Sequence, residues 1–308
     1  MRGKVRRSKK PFLCAPSRAK ILPLIRSALR EDLGRGDATS ARVLGPSLRI
    51  QAHVLARDSG ILAGGEMARW IFLAHDPTLR CRLKRKDGEV VADGQVLLTI
   101  EGHARKIFEA ERTALNWLGH LSGIATLTRR FVDRAQGSPV CILDTRKTLP
   151  GLRIIEKYAV AAGGASNHRM RLDDAILIKS NHLRALAGST RRRLPSAQLI
   201  EQAIQKAKQA RPRLFVQIEV ANLPEYLAAL DAQPDCILLD NWPMANLRRA
   251  IALRKQLAPS GKHWPLLEVS GGVTLENVGR IARTGVDRIS IGRLTHSAPS
   301  LDVSLRVA

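Results

Sequence analysis

Acidic residues are scarce in this chain: 27 Asp and Glu stand against 51 Lys and Arg, a formal net charge of +24 over 308 residues. Six of the basic residues fall among the first ten, so most of the excess belongs to the body of the protein. Aromatics make up only 4%. With so few rings to stack on bases, basic residues scattered along the chain, and no helix-turn-helix, zinc-finger or RRM signature, no specific nucleic-acid partner is expected. No apolar run approaches the roughly 18 residues that a membrane span needs, so no membrane partner is expected either. The four cysteines, Cys14, Cys81, Cys141 and Cys236, contain no CxxC pair and read as reduced thiols. The histidines show no ligand spacing with them, which argues against a zinc centre. Pro11 to Pro16 is too short for the apolar core of a secretory signal, and the expected location is the cytoplasm.

What the chain does have is a series of aliphatic runs, each ending in a polar residue or glycine. Val140-Cys141-Ile142-Leu143 leads into Asp144-Thr145-Arg146-Lys147, and Ile176-Leu177-Ile178 into Lys179. Val216-Gln217-Ile218 leads into Glu219, Ile237-Leu238-Leu239 into Asp240, Leu266 to Val269 into Ser270-Gly271-Gly272, and Ile289-Ser290-Ile291 into Gly292-Arg293. Helical patterns separate these strands at about 152–163, 197–210, 223–231, 244–257 and 275–284, an alternation that predicts parallel strands with right-handed crossovers. Functional groups at the carboxyl ends of successive strands are what a TIM-type barrel provides; six clear strands make it an incomplete one.

The first third has a different rhythm. Ile21, Leu24, Ile25, Ala28 and Leu29 fall at helical spacing behind Ser17, and Arg30 to Thr39 reads as a loop. Leu48–Arg57, Leu79–Leu83 and Gln95–Glu101 read as strands and Gly64–His75 as a helix, an antiparallel α+β unit. A long helix from about Ala104 to Leu121 buries Ile107, Ala114, Leu115, Leu118 and Leu121, with Glu111, Arg112 and Asn116 beside the stripe.

The cations Arg112, Arg146, Lys147, His168, Arg169 and Lys179 suit a ligand with more than one anionic group, since Arg clamps carboxylates bidentately and Lys serves as a point charge. A solvated rim of surface cations is the plain alternative in so basic a chain. Glu219 and Asp240 could hold Mg²⁺ or pair with Lys147 and Lys179 as structural salt bridges. Glycine loops at Ser270–Gly272 and Ile291–Arg293 suit a phosphate, though either could simply turn the chain.

Taken in order, Asp144-Thr145-Arg146-Lys147-Thr148, Glu156-Lys157-Tyr158-Ala159-Val160, Asn167-His168-Arg169, Ile178-Lys179-Ser180-Asn181-His182, Leu239-Asp240-Asn241, Ser270-Gly271-Gly272 and Leu294-Thr295-His296-Ser297 resemble the quinolinate phosphoribosyltransferases. Glu31 to Asp37 and Glu111 to Asn116 extend the resemblance upstream. It implies an α/β fold: an N-terminal sandwich over 20–118, joined by 293–308, and an incomplete TIM-like barrel over 119–292, behind a basic disordered tail at 1–19. It implies conversion of quinolinate and phosphoribosyl pyrophosphate to nicotinate mononucleotide, pyrophosphate and CO2, with Mg²⁺, in NAD biosynthesis. It further implies a homodimer whose Arg112 crosses the interface, with higher assembly left open. By motif, Arg112, Arg146, His168, Arg169 and Lys179 face the quinolinate carboxylates, with Thr145 among the substrate contacts. Lys147, Glu219 and Asp240 face the phosphoribosyl pyrophosphate and metal, and Ser270, Gly271, Gly272, Ile291, Gly292 and Arg293 hold phosphate; the catalytic set is Lys147, Lys179, Glu219 and Asp240.

Four positions depart from the family pattern: Ser180 stands for a common Asp, Gln217 for a common Glu, Ala165 for a glycine and Arg171 for a frequent glycine. Together they make the pocket more positive. Two other readings stay open: a paralogous phosphoribosyltransferase of the molybdenum-locus type acting on another anionic ring, and a nucleic-acid-binding protein on an inactivated barrel.

Overall fold

The computed structural model describes residues 15–188, 196–257 and 264–308. Along the chain run α1 (Arg18–Leu33), α2 (Ala38–Val43), β1 (Arg49–Ala56), β2 (Gly60–Ile61), α3 (Gly65–His75), β3 (Arg80–Leu83), β4 (Val90–Val91), β5 (Val96–His103) and α4 (Ala104–Arg134). There follow β6 (Cys141–Leu143), α5 (Arg153–Ala162), β7 (Ala175–Ile178), α6 (Ser180–Gly188), α7 (Ser196–Gln209), β8 (Phe215–Val220), α8 (Leu223–Ala232) and β9 (Cys236–Asp240). The last elements are α9 (Met244–Leu257), β10 (Leu266–Ser270), α10 (Val278–Ala282), β11 (Arg288–Ser290), α11 (Arg293–His296) and β12 (Val303–Val307). Among the described residues no helix is long and apolar enough to cross a membrane.

Two compact units divide the described residues: 15–130, 147–165 and 293–308 in one, and 131–146 with 166–188, 196–257 and 264–292 in the other. The sequence-based dividing line at 118/119 falls inside α4, and the expected end of that helix near Leu121 is overrun by 13 residues, because Ile124, Ala125, Leu127 and Phe131 continue its buried stripe. Of the basic tail, residues 1–14 lie outside the described residues, and α1 begins at Arg18.

The first unit carries a four-stranded antiparallel sheet in the order β12-β1-β5-β3, with Val54 opposite both Leu98 and Leu305. The C-terminal segment therefore returns to the first strand. Ile21 and Ile25 of α1 and Met67, Ile71 and Phe72 of α3 are fully buried. The segment read as a loop, Arg30 to Thr39, gives its first four residues to α1 and its last two to α2, which Asp37 caps by accepting the N–H groups of Thr39 and Ser40 at 2.9 and 3.1 Å. Gly64 takes the left-handed conformation at the start of α3, where Asp87 accepts the N–H of Gly64 and Gly65 and the Tyr158 hydroxyl at 3.0, 2.9 and 2.6 Å.

The second unit is built on a six-stranded parallel sheet in the order β6-β11-β10-β9-β8-β7, the incomplete barrel that the alternating pattern predicts. Side chains alternate across it. Val216, Ile218, Ile237, Leu239, Leu267, Val269 and Ile289 are buried on one face. The alternate positions carry Gln217, Cys236, Glu268, Arg288 and Ser290, so the other face is polar.

Candidate active site

Strand register brings the polar endings to one rim. Leu143 lies opposite Ser290, Ser290 opposite Ser270, and Ser270 opposite Asp240. Ile178 lies opposite Ile218, so Lys179 and Glu219 leave their strands at the same level. Four of the six strand ends identified from sequence thus line up through paired neighbours and the other two meet each other, with Glu219 one residue before the end of β8. Thr145 and Arg146 follow β6 and are half-buried.

Between α5 and β7, the segment Ser166–Arg169 is fastened to the end of β6. Ser166 donates its N–H to Ile142 O at 2.9 Å, and the fully buried Asp144 carboxylate accepts from Asn167 Nδ2 at 2.7 Å and from the His168 N–H at 2.8 Å. These bonds set His168 and Arg169 beside the strand end that carries Arg146. The Arg169 guanidinium donates to Ala175 O at 2.8 Å. Burial lowers its pKa and the Arg146 charge lowers it further, against the opposing pull of Asp174. Two guanidiniums held together in this way gain from an anion between them.

Glu219 and Asp240 are half-buried on adjacent strands, and among the described residues neither takes part in an ion pair. Asp240 accepts from Asn241 Nδ2 at 2.9 Å. Among the described residues, no three His, Cys, Asp or Glu cluster as a metal centre would require. Two carboxylates suit Mg²⁺ that arrives with a phosphorylated substrate and keeps its waters.

The glycine loop after β10 is held by two asparagines that the sequence reading left out of the site. Gly271 and Gly272 have φ of 81° and 59°, a region that side-chain-bearing residues rarely adopt, and a Cβ at Gly271 would collide with Asn241. Asn241, itself at φ 56°, donates its N–H to Ser270 O at 2.9 Å, and Asn277 Nδ2 donates to Gly272 O at 2.8 Å. Asn241, Gly271, Gly272, Asn277 and Arg280 line a cavity of about 280 Å³. The signal for these residues was an Asn following an acidic strand end and another five residues after Gly272, ordinary turn chemistry until the loop is seen closed. On the neighbouring strand, Ile291 is buried and donates its N–H to Leu143 O at 2.9 Å, with the half-buried Gly292 next.

Lys147, Arg293 and Arg112 belong to the first unit. Lys147 is exposed and its carbonyl accepts from Thr295 Oγ1 at 2.7 Å. Just beyond it, the fully buried Glu156 accepts the Leu149 N–H at 3.2 Å and contacts His120 Nε2 at 2.9 Å, which fixes the loop that carries Lys147. Arg112 is exposed on α4 beside its buried stripe, and Lys179 is exposed with its N–H donated to His182 Nδ1 at 2.8 Å.

A parallel sheet with cations, carboxylates and a glycine loop at one rim is the architecture of barrel enzymes that act on phosphorylated, anionic substrates. Comparison with known proteins narrows that class. Residues 37–122 match the family model for the quinolinate phosphoribosyl transferase N-terminal domain and residues 124–306 that for the C-terminal domain. The chain is 39% identical over 298 residues to a probable nicotinate-nucleotide pyrophosphorylase (carboxylating) of Synechocystis, covering 96% of each. It is 39% identical over 287 residues to the nicotinate-nucleotide pyrophosphorylase (carboxylating) of Mycobacterium leprae, covering 91% of this chain and 95% of that one. The solved nicotinate-nucleotide pyrophosphorylase of Francisella tularensis superimposes with a TM-score of 0.84 at 33% identity, covering 95% of this chain and 98% of that one. The enzyme of Ehrlichia chaffeensis gives 0.84 at 34%, covering 96% and 100%. The chain belongs to the quinolinate phosphoribosyltransferase family.

Proposed function

We propose that the protein converts quinolinate and phosphoribosyl pyrophosphate to nicotinate mononucleotide, pyrophosphate and CO2, a step of NAD biosynthesis in the cytoplasm. The observation that carries this reading is the Arg146–Arg169 pair, a half-buried dication set at the same rim as Glu219, Asp240 and the Gly271–Gly272 loop. Two guanidiniums at one rim suit a ring acid that carries two carboxylates.

In this reading Arg146, Arg169 and Lys179 neutralise the two carboxylates and orient the pyridine nitrogen toward the anomeric carbon, with the partner subunit's Arg112 completing the set in a homodimer. Thr145 adds a polar contact. The Ser270–Gly272 turn offers backbone N–H groups to phosphate, with the Ile291–Arg293 turn beside it, and Lys147 faces the pyrophosphate. As the C–O bond to pyrophosphate breaks, positive charge grows on the ribose and is met by the carboxylates of Glu219 and Asp240. Mg²⁺, when bound with the substrate by these two residues, would neutralise the leaving pyrophosphate. The nitrogen lone pair forms the new bond to carbon. The positive ring nitrogen then stabilises the electron pair left on the adjacent carbon when the neighbouring carboxylate departs as CO2, and a proton takes up that pair. No nucleophilic side chain is required; the protein positions and neutralises.

The test is steady-state turnover with quinolinate or nicotinate as the ring acid. Turnover with quinolinate, absent with nicotinate and lost in Arg146→Ala, is expected; equal use of the two acids would sink the diacid reading.

A further inference from the structure

In the reading above Asp240 serves the ribose and its metal, and the glycine turn after β10 serves phosphate. A single side chain joins the two. Asn241, the first residue beyond β9, sits at φ 56°, a left-handed conformation that Asn tolerates better than most residues. Its N–H donates to Ser270 O at 2.9 Å, continuing the ladder from the level where Asp240 and Ser270 lie opposite each other. Its side-chain Nδ2 donates to Asp240 Oδ2 at 2.9 Å. The same amide lies against the turn, since a Cβ at Gly271 would collide with its oxygen, carbon and nitrogen.

Asn277 holds the same turn differently. Its Oδ1 accepts the Thr274 N–H at 2.9 Å and its Nδ2 donates to Gly272 O at 2.8 Å, so it closes the turn upon its own segment. Asn241 instead reaches the turn from the neighbouring strand and brings the carboxylate with it. Among the described residues no other side chain or N–H donates to Asp240, which leaves Oδ1 for a ligand. The contact needs an amide: Asp at 241 would set a second carboxylate against the first, and Gly would keep the backbone but lose the side chain.

We propose that Asn241 is a positioning residue for the phosphoribosyl group: it ties the Asp240 carboxylate to the Ser270–Gly272 turn, so that ribose and phosphate are met at one fixed spacing. This deepens, and rests on, the phosphoribosyl pyrophosphate reading given above. Asp240 and the turn bind the ligand; Asn241 sets them relative to each other.

The test is calorimetric titration of the whole chain, with a chelator present, using ribose 5-phosphate, inorganic phosphate and quinolinate as separate probes. Asn241→Gly keeps the left-handed backbone and removes the amide. It is expected to weaken ribose 5-phosphate about tenfold or more, the cost of losing a hydrogen bond to a charged group, with inorganic phosphate changed by about threefold or less and quinolinate by about twofold or less. Asn241→Asp, of the same shape but without the donor, is expected to weaken ribose 5-phosphate at least as much. Equal losses for ribose 5-phosphate and inorganic phosphate in Asn241→Gly would make the residue a prop for the turn alone and overturn the proposal. Wild-type affinity for ribose 5-phosphate in either variant, or an equal loss for quinolinate, overturns it too. Wild-type protein that binds ribose 5-phosphate yet does not turn over quinolinate removes the ring-acid reading and leaves the proposal to be decided by these titrations. Wild-type protein that binds no ribose 5-phosphate overturns the proposal together with the phosphoribosyl pyrophosphate reading.

Discussion

Arg80 and Arg82 on β3 and Arg146 and Arg169 in the barrel unit are the same side chain in two settings. The first two are exposed on the edge strand of the antiparallel sheet, where they flank a cavity of about 510 Å³ with Gln51, His53, Lys84 and Glu101. Cations there keep an open edge from pairing with another chain and remain in water. Arg146 and Arg169 are half-buried beside each other, and Arg169 is depressed by burial and by its neighbour. Like charges brought together out of water cost free energy that an anionic ligand can offset. Size of cavity and number of cations therefore mislead in a chain at +24, whereas constrained and partly desolvated cations point to the site.

The largest effect that would sharpen this contrast is metal removal. Chelation of divalent cations should abolish turnover while leaving the thermal unfolding midpoint unchanged, because a two-carboxylate site takes its ion with substrate. Stabilisation of the unliganded protein by Mg²⁺ would contradict that. Next, Arg169→Ala should lower kcat/KM for quinolinate by about a hundredfold or more in initial-rate assays. Gly271→Ala meets both a left-handed backbone and the Asn241 side chain, and should cost about 1–3 kcal/mol in chemical denaturation. Arg82→Ala, the comparison's other arm, should leave kcat/KM within about twofold and stability within about 0.5 kcal/mol.

A pH dependence follows from Glu268. Burial works to raise its carboxyl, but the His168 and Arg288 contacts outweigh it and hold the pKa below the ordinary 4.5. Its folded pKa is thus the lower one, so the stabilisation is complete above the unfolded value and lost as pH falls through the folded value. Wild type should lose its unfolding midpoint more steeply than Glu268→Gln below about pH 4.5. Parallel curves would place the charge elsewhere.

The strands of the barrel were legible because each is a short aliphatic run closed by a polar residue, and β6 to β11 fall where those runs lie. Their register was not written in any single run, yet it decides which endings meet. The polar face escaped notice because Gln217, Cys236 and Glu268 stand singly between aliphatic neighbours, and only the closing of the sheet sets them together. Helix α6 was missed since Ser180–Gly188 buries none of its residues and so offers no apolar stripe. Of the site, the charged members were readable by type and position, while Asn241 and Asn277 act through bonds to backbone or to another side chain, which a sequence pattern does not display.

The central claim is tested most directly by supplying quinolinate labelled in the carboxylate next to the ring nitrogen, together with phosphoribosyl pyrophosphate and Mg²⁺. One labelled CO2 per nicotinate mononucleotide, and none when phosphoribosyl pyrophosphate is omitted, is the predicted result. A folded protein that releases no label, or that forms a mononucleotide with both carboxylates retained, would contradict the account.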